Sequence, residues 1–337
     1  IGTLAWYQED YDTAQAYLKR GLTTWQALGD SADPKALAHI YLSLGGIARQ
    51  HDNYRAAIAY HTSALAIQRT LANQQGMADA LHNLGVAEMY LGNYTAAQSR
   101  FAECYALDCA LGDQWGIFLD LNSWGVLDYL QEDFAAARKR LEKGLQLARD
   151  LGAKTRLSLL LSHLGKVALA DMRRPDAKRY FQEALTVAEE VAIKSQRFAA
   201  HIGLGILAIH EQDDSGARMH LTSALTIWRA DRKPKELLSL LEPLALYSAR
   251  RIAHDPMAAI ETGRLLGFVD AHRDQFQLPP REPIYCPLHV QSVALITGNL
   301  SADEVAAAHE QGRRRTVDEI VEQIEALTSD TFRTHPL

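Results

Sequence analysis

Residues 75–113 read QGMADALHNLGVAEMYLGNYTAAQSRFAECYALDCALGD, and two helices can be traced in them before the rest of the chain is considered. Met77, Leu81, Leu84, Val86, Ala87 and the run Met89 to Leu91 recur at helical spacing and predict a first helix. Gly92-Asn93 ends it and Tyr94 opens the second. Ala97, Phe101, Cys104, Leu107 and Leu111 then mark one face at steps of three and four. Leu111-Gly112-Asp113 closes the pair, with Gly112 suited to the left-handed residue just past a helix end.

Working outward, the same marks return at a fixed interval. Gly45, Gly85, Gly125, Gly165 and Gly205 stand 40 residues apart, each behind a large apolar residue (Leu44, Leu84, Trp124, Leu164, Leu204). An alanine follows each glycine at one constant offset, at Ala57, Ala97, Ala137, Ala177 and Ala217. The closing stop recurs as Leu28-Gly29-Asp30 and Leu151-Gly152-Ala153, and the inner turn as Asp52-Asn53-Tyr54, Glu132-Asp133-Phe134 and Asp213-Asp214. Self-similarity at one period is the mark of a repeat array, whose units stack so that the core grows lengthwise. Small residues such as Gly85 and Ala97 belong where two helices cross closely, because a larger side chain would force them apart.

Composition bounds the function classes. The chain has 337 residues, 47% hydrophobic and 23% charged, with a net charge of -6 and charges of both signs interspersed. No basic stripe tracks a phosphate backbone, so direct nucleic-acid binding is not expected. No apolar run approaches the ~20 residues that cross a bilayer, so no membrane partner is expected either. The three cysteines form no disulfide framework. Cys104 and Cys109 lie on one predicted helix and read as small core residues. A metal site there would need further ligands at helical spacing, and the helix offers none. Free buried thiols fit a reducing, cytoplasmic setting. The chain opens at Ile1, and Ile1-Gly2 aligns with the Leu-Gly pairs, with Ala14 placed after Gly2 as the later alanines are after their glycines. The first repeat therefore reads as truncated and the chain as part of a longer protein.

These marks resemble the tetratricopeptide repeat, whose hairpin carries Leu-Gly on its first helix and a Gly-Asp-Tyr-like turn before an alanine. The common unit has about 34 residues, so 40 implies longer helices. The expected fold is all-α: a right-handed superhelical solenoid of about seven antiparallel helix pairs with a C-terminal helical cap. The repeats fall at about 1–33, 34–73, 74–113, 114–153, 154–193, 194–232 and 233–275. In the last, His254-Asp255-Pro256 replaces the turn, and Ala245 or Tyr247 the glycine.

Residues 276–337 form the cap. Pro279, Pro280, Pro283 and Pro287 predict an irregular stretch. Ser301-Ala-Asp-Glu304 and Thr316-Val-Asp-Glu319 then read as capping boxes that start two helices. Arg264-Leu265-Leu266-Gly267, Asp270-Ala-His-Arg273 and Ala308-His-Glu-Gln-Gly312-Arg313 before Thr316 resemble the C-terminus of bacterial STAND-type ATPase regulators, including LuxR-type and AfsR-type transcription factors. That resemblance implies an effector and an ATPase switch upstream, with the repeat array sensing an inducer. The chain itself has no Gly-x-x-x-x-Gly-Lys-Ser/Thr loop, and Gly165-Lys166 sits inside a predicted helix without the flanking glycine.

No catalytic, metal or cofactor site is legible. His309-Glu310 and His210-Glu211 lack the second histidine of a zinc-protease helix, and the 13 histidines show no ligand spacing. Arg313 to Arg315 reads as a solvated turn. Binding residues are expected along the first helices, which line the concave face of such arrays. The pairs before each Leu-Gly are Leu42-Ser43, His82-Asn83, Asn122-Ser123, Ser162-His163 and Ile202-Gly203. The three central pairs make a polar, uncharged ladder. One turn on, Arg49, Met89, Tyr90, Tyr129, Lys166 and His210 should face the same space. The expected ligand-binding set is Arg49, His82, Asn83, Tyr90, Asn122, Ser123, Tyr129, Ser162, His163 and Lys166. Amide and hydroxyl groups at a regular step suit peptide main chain or sugar hydroxyls, with aromatic faces for burial. The alternative for each asparagine is a bond to a neighbouring helix. Trp6, Trp25, Trp115, Trp124 and Trp228 read as packing. The chain is thus expected to be a non-enzymatic sensor for a peptide, small inducer or partner protein, coupled to upstream ATPase and effector domains of the same chain. A constitutive scaffold or self-association module is the alternative.

Overall fold

The structure, a computed structural model, describes residues 10–27, 33–276, 278 and 280–328. Ile1-Gly2, Trp6, Leu28-Gly29-Asp30 and Pro279 lie outside the described residues. Among those residues the chain forms sixteen α-helices and no strand. In order they are α1 (Tyr11–Ala27), α2 (Pro34–Gln50), α3 (Tyr54–Thr70), α4 (Gln74–Leu91), α5 (Tyr94–Leu111), α6 (Gln114–Leu130), α7 (Phe134–Asp150) and α8 (Lys154–Ala170). There follow α9 (Arg174–Glu190), α10 (Lys194–Glu211), α11 (Asp214–Asp231), α12 (Pro234–Arg250), α13 (Met257–Gln275), α14 (Cys286–Thr297), α15 (Ala302–Arg313) and α16 (Val317–Thr328). By internal contacts the chain divides into two compact units, residues 1–147 and 148–337.

The helices are cut to length by their turns. Residues 52, 72, 92, 112, 132, 152, 172, 192, 212 and 232 all have positive φ, so a left-handed residue recurs every 20 positions. At Asp52 the pattern is a Schellman motif: Asn53 N–H donates to the Ala48 carbonyl at 2.8 Å and Asp52 N–H to the Arg49 carbonyl at 3.1 Å. The same pair of bonds repeats at each turn through Gln212-Asp213. The residue after the left-handed one is the N-cap of the next helix. Asn53 Oδ1 accepts from Ala56 N–H at 3.1 Å, and Asp133 and Asp213 accept from Ala136 and Gly216 in the same way. Stop and start therefore share two adjacent residues. Only Gly92, Gly112 and Gly152 among the ten are glycines.

Packing explains the 40-residue glycines. A Cβ added at Gly85, Gly125, Gly165 or Gly205 would meet Phe101, Leu141, Phe181 or Leu221 at 2.8, 2.7, 2.6 and 2.9 Å. Each of those side chains stands on the second helix of its hairpin, at a constant offset from its glycine, and is fully buried. At Gly45 the same place is filled by the imidazole of His61, also 0% exposed. The alanines at 57, 97, 137, 177 and 217 are likewise fully buried. Within unit 1, α2 packs on α3 and α4 on α5; within unit 2, α8 packs on α9, α10 on α11 and α12 on α13. Successive first helices also touch, α2 with α4 and α4 with α6, then α8 with α10 and α10 with α12.

In the C-terminal part of unit 2 the closest approach is α13 on α15. A Cβ at Gly267 would strike the backbone carbonyl of His309, and one at Gly312 that of Arg264, while Gly263 faces Ala308. These glycines lie in or beside the Arg264–Gly267 and Ala308–Gly312 stretches, so a small-residue interface underlies that part of the motif. Both capping boxes form: Glu304 and Glu319 carboxylates accept from the N–H of Ser301 and Thr316 at 2.8 and 2.7 Å. One element departs from the sequence expectation. The proline cluster predicts irregular chain, yet α14 opens at Cys286 with Pro287 in its first turn, where its missing N–H costs nothing.

Candidate functional site

The ladder residues are best followed unit by unit. On α4, Asn83 donates through Nδ2 to the Asp79 carbonyl one turn back at 2.8 Å. One N–H of its amide is thus used within its own helix. His82, beside it, places Nδ1 2.8 Å from Asp120 Oδ1 on α6. Asn122 and Ser123 are half-buried on α6. Arg49 is half-buried at the end of α2, and its Nε is buried without a hydrogen-bond partner. Tyr90 is exposed and stacks on Tyr54 at 5.4 Å, with 15° between ring planes. Two expectations need correction here. Tyr129 is buried at 4% exposure against Phe134, and Met89 is buried at 3%, so neither presents its side chain to open space.

In unit 2, Ser162 is buried at 3% exposure on α8, and its Oγ has no partner. It, too, belongs to the interior. His163 is half-buried, and burial, with the Lys166 charge nearby, pushes its pKa down to about 3, so the ring is neutral. His210 is half-buried at the end of α10 and lowered by burial. Lys166 is already engaged: its Nζ donates to Glu282 Oε2 at 2.8 Å. That ion pair anchors residues 282–285 over the first helices of this unit. Ile284 and Tyr285 are buried there at 4% and 7% exposure. Burial pushes the Tyr285 hydroxyl up to about 12, so it stays protonated. Beside them lies a cavity of about 210 Å³ lined by Lys166 of α8, Phe198 and Ile202 of α10, Ser239 of α12 and Tyr285. The segment is held from behind by Arg281, which donates to the buried Glu242 at 2.8 Å and to Asp270 at 2.5 Å. A second cavity, about 550 Å³, lies among α13, α14 and α15 with Leu266, Val293, Ile296 and His309 on its walls.

The sequence reading missed a polar cluster in the core of unit 1. Cys104 on α5 is 1% exposed, Asp108 one turn later 2%, and Asp120 on α6 0%. Cys104 Sγ donates to the Ala78 carbonyl at 3.1 Å and lies 3.7 Å from Asp108 Oδ2. Asp108 Oδ1 and Asp120 Oδ2 are buried without partners. Burial and the neighbouring Asp120 raise Asp108 to about 7, and burial pushes the Cys104 thiol well above its ordinary range. A buried, protonated thiol is not a nucleophile. A signal was nonetheless present. Asp120 occupies the position of Ala80, Leu160 and Ala200 in the 40-residue register, all fully buried. Cys109 and Cys286 are exposed, so only one of the three thiols is a core residue. The tryptophans also divide. Trp228 is buried and donates to the Lys233 carbonyl at 2.8 Å, whereas Trp115 is 44% exposed and stacked on Phe118. Trp25 packs at the α1–α2 core, and Trp124 carries the Arg140 guanidinium over its ring. Arg313 and Arg314 are tied to Asp274 and Glu310, and Arg315 to Gln323, so that run is more anchored than a solvated turn.

No protein-family model matches the chain. No curated protein matches it by sequence. Solved structures do match in fold. The apo form of RapI superposes with a TM-score of 0.62 at 12% identity, over 88% of this chain and 96% of RapI. The quorum sensor NprR from B. thuringiensis matches in its apo form with a TM-score of 0.58 at 12% identity, over 88% and 85% of the two chains. NprR in complex with its cognate peptide NprX gives 0.56 at 14% identity. The STAND protein PH0952 from Pyrococcus horikoshii, which has a tetratricopeptide repeat sensor, gives 0.59 at 15% identity over 88% of this chain. Only 45% of PH0952 is covered. The fold is therefore that of the tetratricopeptide-repeat helical arrays. No helix among the described residues is long and apolar enough to cross a membrane.

Proposed function

We propose that the chain is a non-catalytic sensor module whose first-helix face binds an extended peptide, and that it works within a larger signalling or transcriptional regulator. One observation carries the reading. In unit 2 that face already holds a short stretch of the chain's own backbone, with Ile284 and Tyr285 buried, Glu282 paired to Lys166 and a 210 Å³ cavity beside them. A surface that accepts one apolar–aromatic segment with an acidic flank has the chemistry to accept another. Two likenesses point the same way: NprR with a peptide bound, and PH0952, whose repeat sensor belongs to a longer STAND protein. The upstream ATPase and effector rest on the C-terminal motif resemblance and are part of the same proposal. The buried, protonated state of Cys104 supports the non-catalytic reading.

The test is a thermal-shift screen of peptides and small metabolites against the 337-residue chain, followed by titration calorimetry of any hit. A ligand-specific shift that falls at least about tenfold in affinity in Lys166→Ala with His163→Ala supports sensing on this face. A hit that binds those variants as well as the parent chain removes the face from the mechanism. No shift with any ligand, together with stable capture of one partner protein, favours a constitutive scaffold.

A further inference from the structure

We propose that His82, Cys104 and Asp120 form a binding site for one zinc(II) ion in the core of unit 1, with Asp108 beside it. The three side chains come from three consecutive helices, α4, α5 and α6. Their candidate ligand atoms (an imidazole nitrogen, the thiol sulfur and a carboxylate oxygen) all lie within 4.8 Å of one another. Zinc bonds of about 2.0–2.3 Å set tetrahedral ligand atoms about 3.4–3.8 Å apart. The wider pairs must therefore close by up to about 1 Å, while the His82–Asp120 contact at 2.8 Å opens as the ion enters between them, displacements that side-chain torsions of His82 and Asp120 can supply.

The second observation is independent of this spacing. Asp120 is 0% exposed and its Oδ2 has no partner, and Asp108 is 2% exposed with Oδ1 unpartnered. A buried carboxylate is costly unless it is paired or binds a metal. Of these two, Asp120 has His82 as its basic hydrogen-bond partner, while Asp108 is bonded to a thiol. The array has an inexpensive alternative at both positions. Asp120 stands where Ala80 and Leu160 stand, and Cys104 where Ala64 and Ala184 stand, all of them buried apolar residues. One repeat junction has thus exchanged apolar core for a nitrogen, a sulfur and carboxylate oxygens converging on a point. That mixed donor set suits zinc and disfavours magnesium or calcium, which take oxygen ligands. His82 keeps 18% of its side chain exposed and gives an entry side, whereas the Asp120 side chain has no exposure at all. On binding, the Cys104 thiol releases its proton to solvent and the sulfur donates its electron pair to the ion.

The experiment uses the full 337-residue chain, stripped with a chelator and titrated with zinc against a competing chromophoric chelator, then reloaded with cobalt(II). Variants Cys104→Ala and Asp120→Ala carry the residues found at equivalent positions, so helix content checked by circular dichroism should be kept. One zinc per chain is expected, with affinity reduced at least about 100-fold in either variant. Cobalt should give a thiolate charge-transfer band in the parent chain that is absent from Cys104→Ala. No stoichiometric zinc uptake, equal uptake by both variants, or a cobalt spectrum without the thiolate band would each overturn the site.

Discussion

His61 illustrates how one residue can oppose its surroundings. It fills the slot against Gly45 that Phe101, Leu141, Phe181 and Leu221 fill in the other repeats, yet both ring nitrogens are buried without partners. Burial, then the charges of Arg49 and His82, lowers its pKa to about 4. The folded state therefore refuses a proton that the unfolded chain accepts below pH of about 6.5. Its contribution to stability is complete above that pH and is lost as pH falls towards 4, by up to about 3 kcal/mol. His163 and His201, lowered to about 3 and about 4, push in the same direction. His61→Leu should raise stability by about 1–2 kcal/mol at neutral pH, since two unsatisfied polar atoms leave the core. Urea titrations at pH 7.5 and 5 should also show a smaller loss on acidification than in the parent chain. At the left-handed positions the expected sign is also favourable. Met172→Gly and Ala72→Gly remove side chains from residues at φ 57 and φ 50 and should each add about 0.5–1 kcal/mol in the same assay.

At the scale of elements, helix ends were the most legible feature. Asn93, Asp113 and the glycines before them announce both stop and start, because a Schellman turn demands a left-handed residue and the next helix demands a cap. Turns at Met172 and Ala192 carry no such residues, and at Ala72 only the Asn73 cap marks the start, so there the 20-residue spacing does most to reveal them. The knob against each glycine was harder to read. Phenylalanine, leucine and histidine alternate in it, so no single residue type repeats. The polar cluster was hidden for a related reason. His82, Cys104 and Asp120 stand at unequal intervals on different helices, a spacing that means nothing until the repeats are laid in register. Pro287 reads as a breaker because sequence alone does not say whether a proline falls inside a helix or in its first turn. Of the expected binding residues, Tyr129 and Ser162 face inward because their positions pack against neighbouring helices, and periodicity alone blurs that distinction. The α13–α15 contact leads to a prediction at this scale. Gly267→Ala and Gly312→Ala each drive a methyl group into a backbone carbonyl, which cannot rotate away. Each should cost about 2–3 kcal/mol and loosen α15, read as earlier amide exchange in residues 302–313.

Within the repeats of each unit, contacts run mainly between helices next or next but one in sequence, so damage there should stay local. Gly165→Ala wedges a methyl against Phe181, which also packs on Gly203. Hydrogen exchange should show lost protection concentrated in α8, α9 and α10, with α2 to α4 close to the parent values. Uniform loss along all helices would mean that the array unfolds as a single cooperative block. The left-handed residues at every twentieth position carry a last consequence. Because each turn is both an ending and a beginning, there is no slack in which an extra residue could be absorbed. A one-residue insertion within a helix turns everything beyond it by about 100° and exchanges inner for outer faces. Removing or adding a whole hairpin keeps the phase, so viable length variants of this protein should differ by multiples of its repeat and tolerate little in between.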